Sequence, residues 1–321
     1  MLVLIIIAIK LSFSGKIALH QEIQIKPGDT VSVFMQPLSA FERVKLKLYI
    51  KTHNFNFTKL EPWTYDFSWS YSKRGFISQI LLGPANKYTR ITVLEWWSVY
   101  DIDYSFAKKW LITGGEYLAL VTDPTIIEKY ASKYPFLNNL PLKTLEGFLY
   151  PDTYNVDAGK NIVDQLVYLQ LENFKAKVRD QEQNIDMNTR YQKVILASIL
   201  EKEERNVTNK PVVAGIFLKR LSQGIRLGAD ITLCYGLKQP YETCTPAVIA
   251  RNITDKANIY NTRENGGLTP QPISNPTKGS IDAVLHPQTS EYLYYLHDGD
   301  GIIHYARTLD EHNANRQMYL K

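Results

Sequence analysis

The sequence predicts an α+β chain, and three observations predict it. Short alternating segments bounded by turn residues, Glu22-Ile-Gln-Ile-Lys-Pro-Gly and Tyr65-Asp-Phe-Ser-Trp, read as strands. Longer stretches carry helical periodicity, chiefly Asn161 to Gln181 and Val212 to Ser222, the latter followed by Gly224 as a C-terminal glycine. Near the C-terminus, Tyr292-Leu-Tyr-Tyr-Leu and then Gly299-Asp-Gly-Ile-Ile-His-Tyr-Ala read as strand, turn and returning strand, a hairpin. The 321 residues fit two domains, or one large domain with an appendage.

Taken in order, the chain opens with nine apolar residues before Lys10. A membrane span needs about 20, so this segment resembles a signal-peptide hydrophobic region lacking its basic leader or the tail of an anchor, with a buried first strand as the alternative. Residues 21–86 read as a small α+β unit: a strand, a turn at Pro27-Gly28, helices between Val31 and Thr52, a second strand at Tyr65, and a short helix from Phe76 to Leu82. A second α+β segment, 87–321, opens with a strand at Arg90-Ile-Thr-Val-Leu and continues with a helix from Thr125 to Tyr134. Leu145 to Val156 is too apolar for an exposed linker and reads as a folded-in loop. Three prolines between Gly266 and Pro276 exclude regular helix there. A short helix follows from Ser280 to Leu285, with Ser280 or Gly279 near its cap, and a polar helix runs from Leu309 to Tyr319.

Composition narrows the classes of function. Hydrophobic residues make up 45% of the chain, enough for a sizeable core. A net charge of +5 with no long basic run is too diffuse for a nucleic-acid-binding protein. No Cys/His spacing marks a metal site, and no nucleophile elbow marks a Ser/His/Asp hydrolase. Cys234 and Cys244 are the only cysteines, with nine residues between them. They form a disulfide if the chain is exported and are free thiols if it is not. The 21 tyrosines and five tryptophans suit sugar-binding faces as well as cores.

The stretch with the most chemistry is Ile195-Leu-Ala-Ser-Ile-Leu-Glu-Lys-Glu-Glu-Arg-Asn206. Wound as a helix at about 100° per residue, it places Leu196, Ile199 and Leu200 on one side. Glu203 comes round to within roughly 20° of Leu196, inside that stripe. Glu201 falls nearly opposite, facing solvent, with Lys202, Glu204 and Arg205 on the flanks. A carboxyl among apolar neighbours holds its proton toward neutral pH and can act as a general acid, then a base. The competing reading leaves Glu203 at a frayed helix end with its carboxylate in water.

Four segments in order resemble the endolytic murein transglycosylases of the MltG/YceG-like family: Glu146-Gly-Phe-Leu-Tyr-Pro-Asp-Thr-Tyr154; Ala197-Ser-Ile-Leu-Glu-Lys-Glu203; Val213-Ala-Gly-Ile-Phe-Leu-Lys-Arg-Leu221 with Leu227-Gly-Ala-Asp230; and Tyr260-Asn-Thr-Arg263 through Gly267-Leu-Thr-Pro-Gln-Pro-Ile-Ser-Asn-Pro276, continuing to the Tyr-Leu-Tyr-Tyr and His304-Tyr-Ala-Arg-Thr tail. Together they span about 145 to 315. The resemblance implies a single-pass envelope protein with an N-terminal membrane anchor within residues 1–20, a LysM-like subdomain over 21–86 and an extracytoplasmic catalytic domain over 87–321. It implies cleavage of the β-1,4 bond between N-acetylmuramic acid and N-acetylglucosamine in nascent peptidoglycan, beside peptidoglycan synthases, without metal or cofactor. The second glutamate of its Ser-Ile-x-Glu-x-Glu motif is the catalytic acid, and that position is Glu203. Glu146, Asp152, Tyr154, Arg226, Asp230, Tyr260 and Asn261 fall in the matching motifs as candidate substrate contacts.

Four of these have a structural alternative: loop amides satisfying Glu146 and Asp152, or an internal ion pair for Asp230 and Arg226. His286 and His304 read as structural. The chain departs from the family pattern at Leu227-Gly-Ala-Asp-Ile-Thr, where a Gln commonly precedes Asp-Pro-Thr, and at Thr269 and Gln271. Trp96-Trp97 stands in an unfamiliar version of the family's Pro-Glu-Gly loop. Two rival functions remain: a muramidase using Asp230 or Glu146 as second carboxylate, and a non-catalytic peptidoglycan-binding scaffold.

Overall fold

The computed structural model describes residues 16–26, 28–53, 55, 57, 60, 64–67, 70–83, 89–109, 111–157, 161–178 and 187–320. Residues 1–15, most of the segment expected to be an anchor, lie outside the described residues. No helix among the described residues is long and apolar enough to cross a membrane. The chain divides into two compact units, and neither is continuous in sequence. The first joins residues 1–91 to 103–117 and 153–166; the second joins 92–102, 118–152 and 167–321.

In the first unit, Lys16–Ala18 pairs antiparallel with Ser70–Ser72, and Gln21–Gln24 with Thr64–Phe67. Ile17 and Leu19 are buried. Both, expected within the anchor segment, therefore belong to this unit's core. The helix Ala40–Thr52 starts on a capping box in which Ser39 accepts from the Glu42 amide and Glu42 reaches back to the Ser39 amide. With the helix Lys73–Leu81 and a 3₁₀ turn at Val31–Met35, it covers a core of Phe34, Leu46, Tyr65, Phe67, Phe76 and Ile77. Edge-to-face rings fix that core: Phe34 and Tyr65 lie 4.8 Å apart between centroids.

The second unit is built around the helix Met187–Glu203. From Val194 to Leu200 every side chain is buried, so the helix is enclosed on all sides, not on one stripe. The helices Lys210–Ser222 and Lys278–Leu285 pack on it. Ser198, polar and wholly buried, receives the Ile273 amide on its hydroxyl at 3.0 Å, and its carbonyl accepts from Ser274 at 2.8 Å. The proline-rich segment is thereby stitched to the helix. The loop 145–151 is buried throughout, and Asn275 Oδ1 accepts from the Gly147 and Leu149 amides at 2.8 and 3.0 Å. Gly147 sits at φ +93°, where a Cβ would fall 2.5 Å from Pro272, so the turn requires glycine. The C-terminal hairpin pairs Tyr294–His297 with Ile303–Ala306, and the helix Leu309–Tyr319 packs on it.

Two expectations are corrected here. Glu201 does not face solvent: it is buried, 3.2 Å from Lys210 Nζ, and accepts from the Thr277 amide and hydroxyl at 2.9 and 2.7 Å. A helix buried all round has no wet face to offer, so an acid on it must find internal partners. The cap of the helix Lys278–Leu285 is Thr277, not Ser280 or Gly279, and the Thr277 hydroxyl serves Glu201.

Candidate active site

Glu203 is the last residue of the enclosed helix, where the chain leaves the core and reaches a cleft of about 270 Å³. Half-buried, its carboxylate receives the Tyr295 hydroxyl on Oε2 at 3.0 Å. Burial pushes the Glu203 pKa above the usual carboxylate range, and the negative charge of Asp230 pushes the same way. The Tyr295 donor, His297 and Arg263 oppose that rise without cancelling it. The next residue, Glu204, is more buried but ionises readily, because its partners outweigh its desolvation. Its Oε2 lies 3.0 Å from His297 Nε2, and its Oε1 accepts from the Asn206 amide at 2.7 Å. In return Glu204 raises the His297 pKa. Tyr295 and His297 are two apart on one strand and so share a face. The hairpin thus meets adjacent carboxylates with one aromatic hydroxyl and one imidazole, leaving Glu203 inclined to hold a proton and Glu204 charged.

Two further carboxylates are fully matched. Asp101 lies 3.2 Å from Lys202 Nζ and also accepts from Ser98 and from the Tyr241 amide, the last at 2.6 Å. That ion pair is almost completely enclosed and fixes the Tyr241 loop on the wall of the cleft. Asp230, also in the lining, is paired with Arg263. The remaining wall is apolar: Trp96, Ile231, Pro246, Ile249 and the disulfide between Cys234 and Cys244. A larger hollow of about 830 Å³ lies within the first unit, but its Glu116 carboxylate caps the Thr113 amide and is not poised for chemistry.

The YceG-like family pattern matches residues 23–318. The chain belongs to the YceG-like family. Among YceG-like relatives it is 25% identical over 285 residues to the endolytic murein transglycosylase of Streptococcus pneumoniae serotype 2, an alignment covering 81% of this chain and 51% of that one. The chain thus spans about half the length of the pneumococcal relative. The Bacillus subtilis protein of the same name is 25% identical over 253 residues, 76% of this chain and 69% of that one. A crystallised YceG-like protein from Listeria monocytogenes superposes with a TM-score of 0.60 at 25% identity, covering 93% of this chain and 99% of its own.

Of the residues named from the sequence, Glu203 and Asp230 line the cleft together. Glu146 is wholly buried; its Oε2 accepts from the Val99 amide at 2.8 Å, and burial raises its pKa to about 8. It lies beside Tyr100, Tyr235 and Tyr260, whose own pKa values it helps to raise, that of Tyr260 to about 12. Asn261 has no exposed surface and spends its amide on the Ile253 and Asp255 carbonyls at 3.0 Å each, a loop-bracing position instead of a sugar contact. Asp152 pairs with Lys177 at 2.6 Å and accepts from Asn173. Arg226 is exposed and donates to the Arg263 carbonyl at 2.9 Å; in the alternative that ties Asp230 into an internal ion pair, the partner is Arg263 and not Arg226. Tyr154 is buried on the strand Thr153–Val156 of the first unit. His304 is structural, bonded to Asp298 at 2.8 Å and stacked on Tyr319.

Sequence reading missed Tyr295, His297 and Arg263. The Tyr-x-His alternation in a strand was a visible sign that both point one way. Nothing local showed that they meet the helix end roughly ninety residues earlier, as loop-separated partners do not betray themselves by spacing.

Proposed function

We propose that this chain is an endolytic lytic transglycosylase that cleaves the β-1,4 bond between N-acetylmuramic acid and N-acetylglucosamine in nascent peptidoglycan, with Glu203 as its single general acid and base. The observation that carries this reading is Glu203 itself: a carboxyl pushed toward its protonated form, opening on a cleft, with one hydroxyl donor on its carboxylate. The names of the pneumococcal and Bacillus relatives point to the same reaction class.

Protonated Glu203 gives its proton to the glycosidic oxygen as the bond to the muramyl anomeric carbon breaks. The sugar's own 6-hydroxyl then attacks that carbon, Glu203 takes the hydroxyl proton, and a 1,6-anhydro end forms. Between the two steps Glu203 is a carboxylate, and the Tyr295 hydroxyl stabilises it. No second carboxylate is required, and the neighbours fit that economy: Asp230 is tied to Arg263, and Glu146 is enclosed and held protonated near neutral pH. A hydrolase would instead use two carboxylates flanking the bond.

Residues 21–86 serve as the LysM-like subdomain and 87–321 as the catalytic domain, with the segment ahead of the strand Lys16–Ala18 anchoring the protein in the cell membrane. An extracytoplasmic catalytic domain is in keeping with the disulfide between Cys234 and Cys244. Peptidoglycan synthases are the expected neighbours. Cleavage of uncrosslinked glycan in heavy-oxygen water tests the reaction. Intramolecular attack leaves both new ends unlabelled. One heavy oxygen per cut would overturn the proposal in favour of hydrolysis.

A further inference from the structure

The cleft lining carries four charged side chains, and three are compensated. Lys202 is neutralised by Asp101 at 3.2 Å, Asp230 by Arg263, and Glu203 opens on the cleft inclined to its neutral form. Arg205 is the exception. It is exposed, lines the same cleft, and among the described residues has no carboxylate partner within ion-pair distance. Its guanidinium lies over the Trp96 ring, 4.7 Å from the centroid. Stacking on a ring uses the flat face of a guanidinium and leaves its in-plane N–H donors for a planar anion. Trp96 meanwhile holds φ at +60°, a left-handed conformation that is a genuine outlier for so bulky a residue. Its neighbours hold the strain in place, as Trp97 closes a turn by donating to the Leu94 carbonyl at 3.3 Å. Backbone strain kept beside a catalytic carboxyl points to use, not accident.

We propose that Arg205, braced by Trp96, is an anion subsite that receives a carboxylate of the substrate beside the bond being cut. The inference rests on the glycan-cleaving reading and adds to it which feature of the glycan is recognised. A chain of N-acetylglucosamine alone has no carboxylate. A muramyl glycan has one in the lactyl ether once its peptide is removed, or several in the peptide while it remains. The shared chemistry is a carboxylate next to the muramyl ring.

The test is equilibrium binding of the full chain, and of Arg205→Gln and Arg205→Lys, to three soluble probes: peptide-bearing uncrosslinked glycan fragments, the same fragments stripped of peptide, and a neutral chito-oligosaccharide of equal length. A charge-assisted contact at a partly exposed site gives the wild-type chain a preference of roughly tenfold for an anionic probe over the neutral one, shrinking as salt rises. Arg205→Gln should abolish the preference by weakening only the anionic probes, and Arg205→Lys should retain part of it. Tighter binding of peptide-bearing than of stripped fragments assigns the peptide carboxylates; tighter binding of the stripped fragments assigns the lactyl carboxylate, which is free only there; equal binding of the two, above the neutral probe, shows that either carboxylate is received. Trp96→Gly supplies a readout that a structural role does not share. It relieves the left-handed strain, so the melting temperature should hold or rise while the preference falls. Equal binding of all three probes by the wild-type chain, or an unchanged preference in Arg205→Gln, overturns the inference. Anhydro ends scored in the same samples keep the two ideas apart: anhydro product without a carboxylate preference defeats this inference alone, and preference without anhydro product defeats the cleavage reading alone.

Discussion

Replacing Tyr295 by Phe removes one oxygen and leaves the ring that packs 6.2 Å from Phe217. The lost contact is the 3.0 Å donor to Glu203 Oε2, the largest influence opposing the rise of the Glu203 pKa. A hydrogen bond to a charged group contributes about 1.5–3 kcal/mol, and one pKa unit corresponds to about 1.4 kcal/mol. The Glu203 pKa should therefore climb further. Cleavage begins from protonated Glu203, so activity falls as pH rises through that pKa. The alkaline limb of the kcat/KM profile should move to higher pH in the variant. The plateau should drop by about tenfold or more, because the carboxylate formed after proton donation has lost its stabiliser. The assay is the release of soluble muropeptide chains from uncrosslinked glycan across the pH range, with circular dichroism to confirm folding. An alkaline limb that stays in place, or moves to lower pH, would refute the assignment of Tyr295 to the ionised form of Glu203.

Further outcomes follow from the same contacts. Glu146 has a folded pKa near 8, above its unfolded value, so its contribution to stability is present at acid pH and is lost as pH rises through about 8. Glu146→Gln, which keeps an acceptor for the Val99 amide, should flatten that loss by a few kcal/mol in denaturant melts at about pH 9 compared with about pH 5. Lys210→Met leaves Glu201 buried without its cation and should destabilise the second unit by about 3–5 kcal/mol, measured as a shift in the urea midpoint. Reducing the disulfide between Cys234 and Cys244, or replacing both by Ser, should cost about 2–4 kcal/mol and loosen the cleft wall, giving a lower melting temperature and a higher KM.

The parts of the fold with strong local signals were legible. The helix Leu309–Tyr319 and the hairpin before it lie where alternation and periodicity place them, and the buried loop 145–151 declared itself by being too apolar for solvent. Short helices such as Asp230–Gly236 and Pro246–Asn252 were not, since two turns carry too few residues for a period to show. Glu203 was reached from the sequence by a stripe argument, yet the helix has no single apolar stripe: Val194 to Leu200 are buried on every side. What sets Glu203 apart is its place at the end of that helix, where the core gives way to the cleft. The same pattern places Glu201 in solvent, and it is buried because its partners Lys210 and Thr277 come from other elements. Tyr295 and His297 were hidden for the same reason, and with them the device that separates the behaviour of two adjacent glutamates.

The measurement that bears most directly on the central claim is a digest of uncrosslinked glycan by the wild-type chain and by Glu203→Gln, with the new ends identified by mass. Loss of a residue serving as both acid and base should slow cleavage by about a thousandfold or more, and the 1,6-anhydromuramyl ends made by the wild-type chain should vanish. Anhydro ends formed at the wild-type rate by a folded Glu203→Gln protein would contradict the claim.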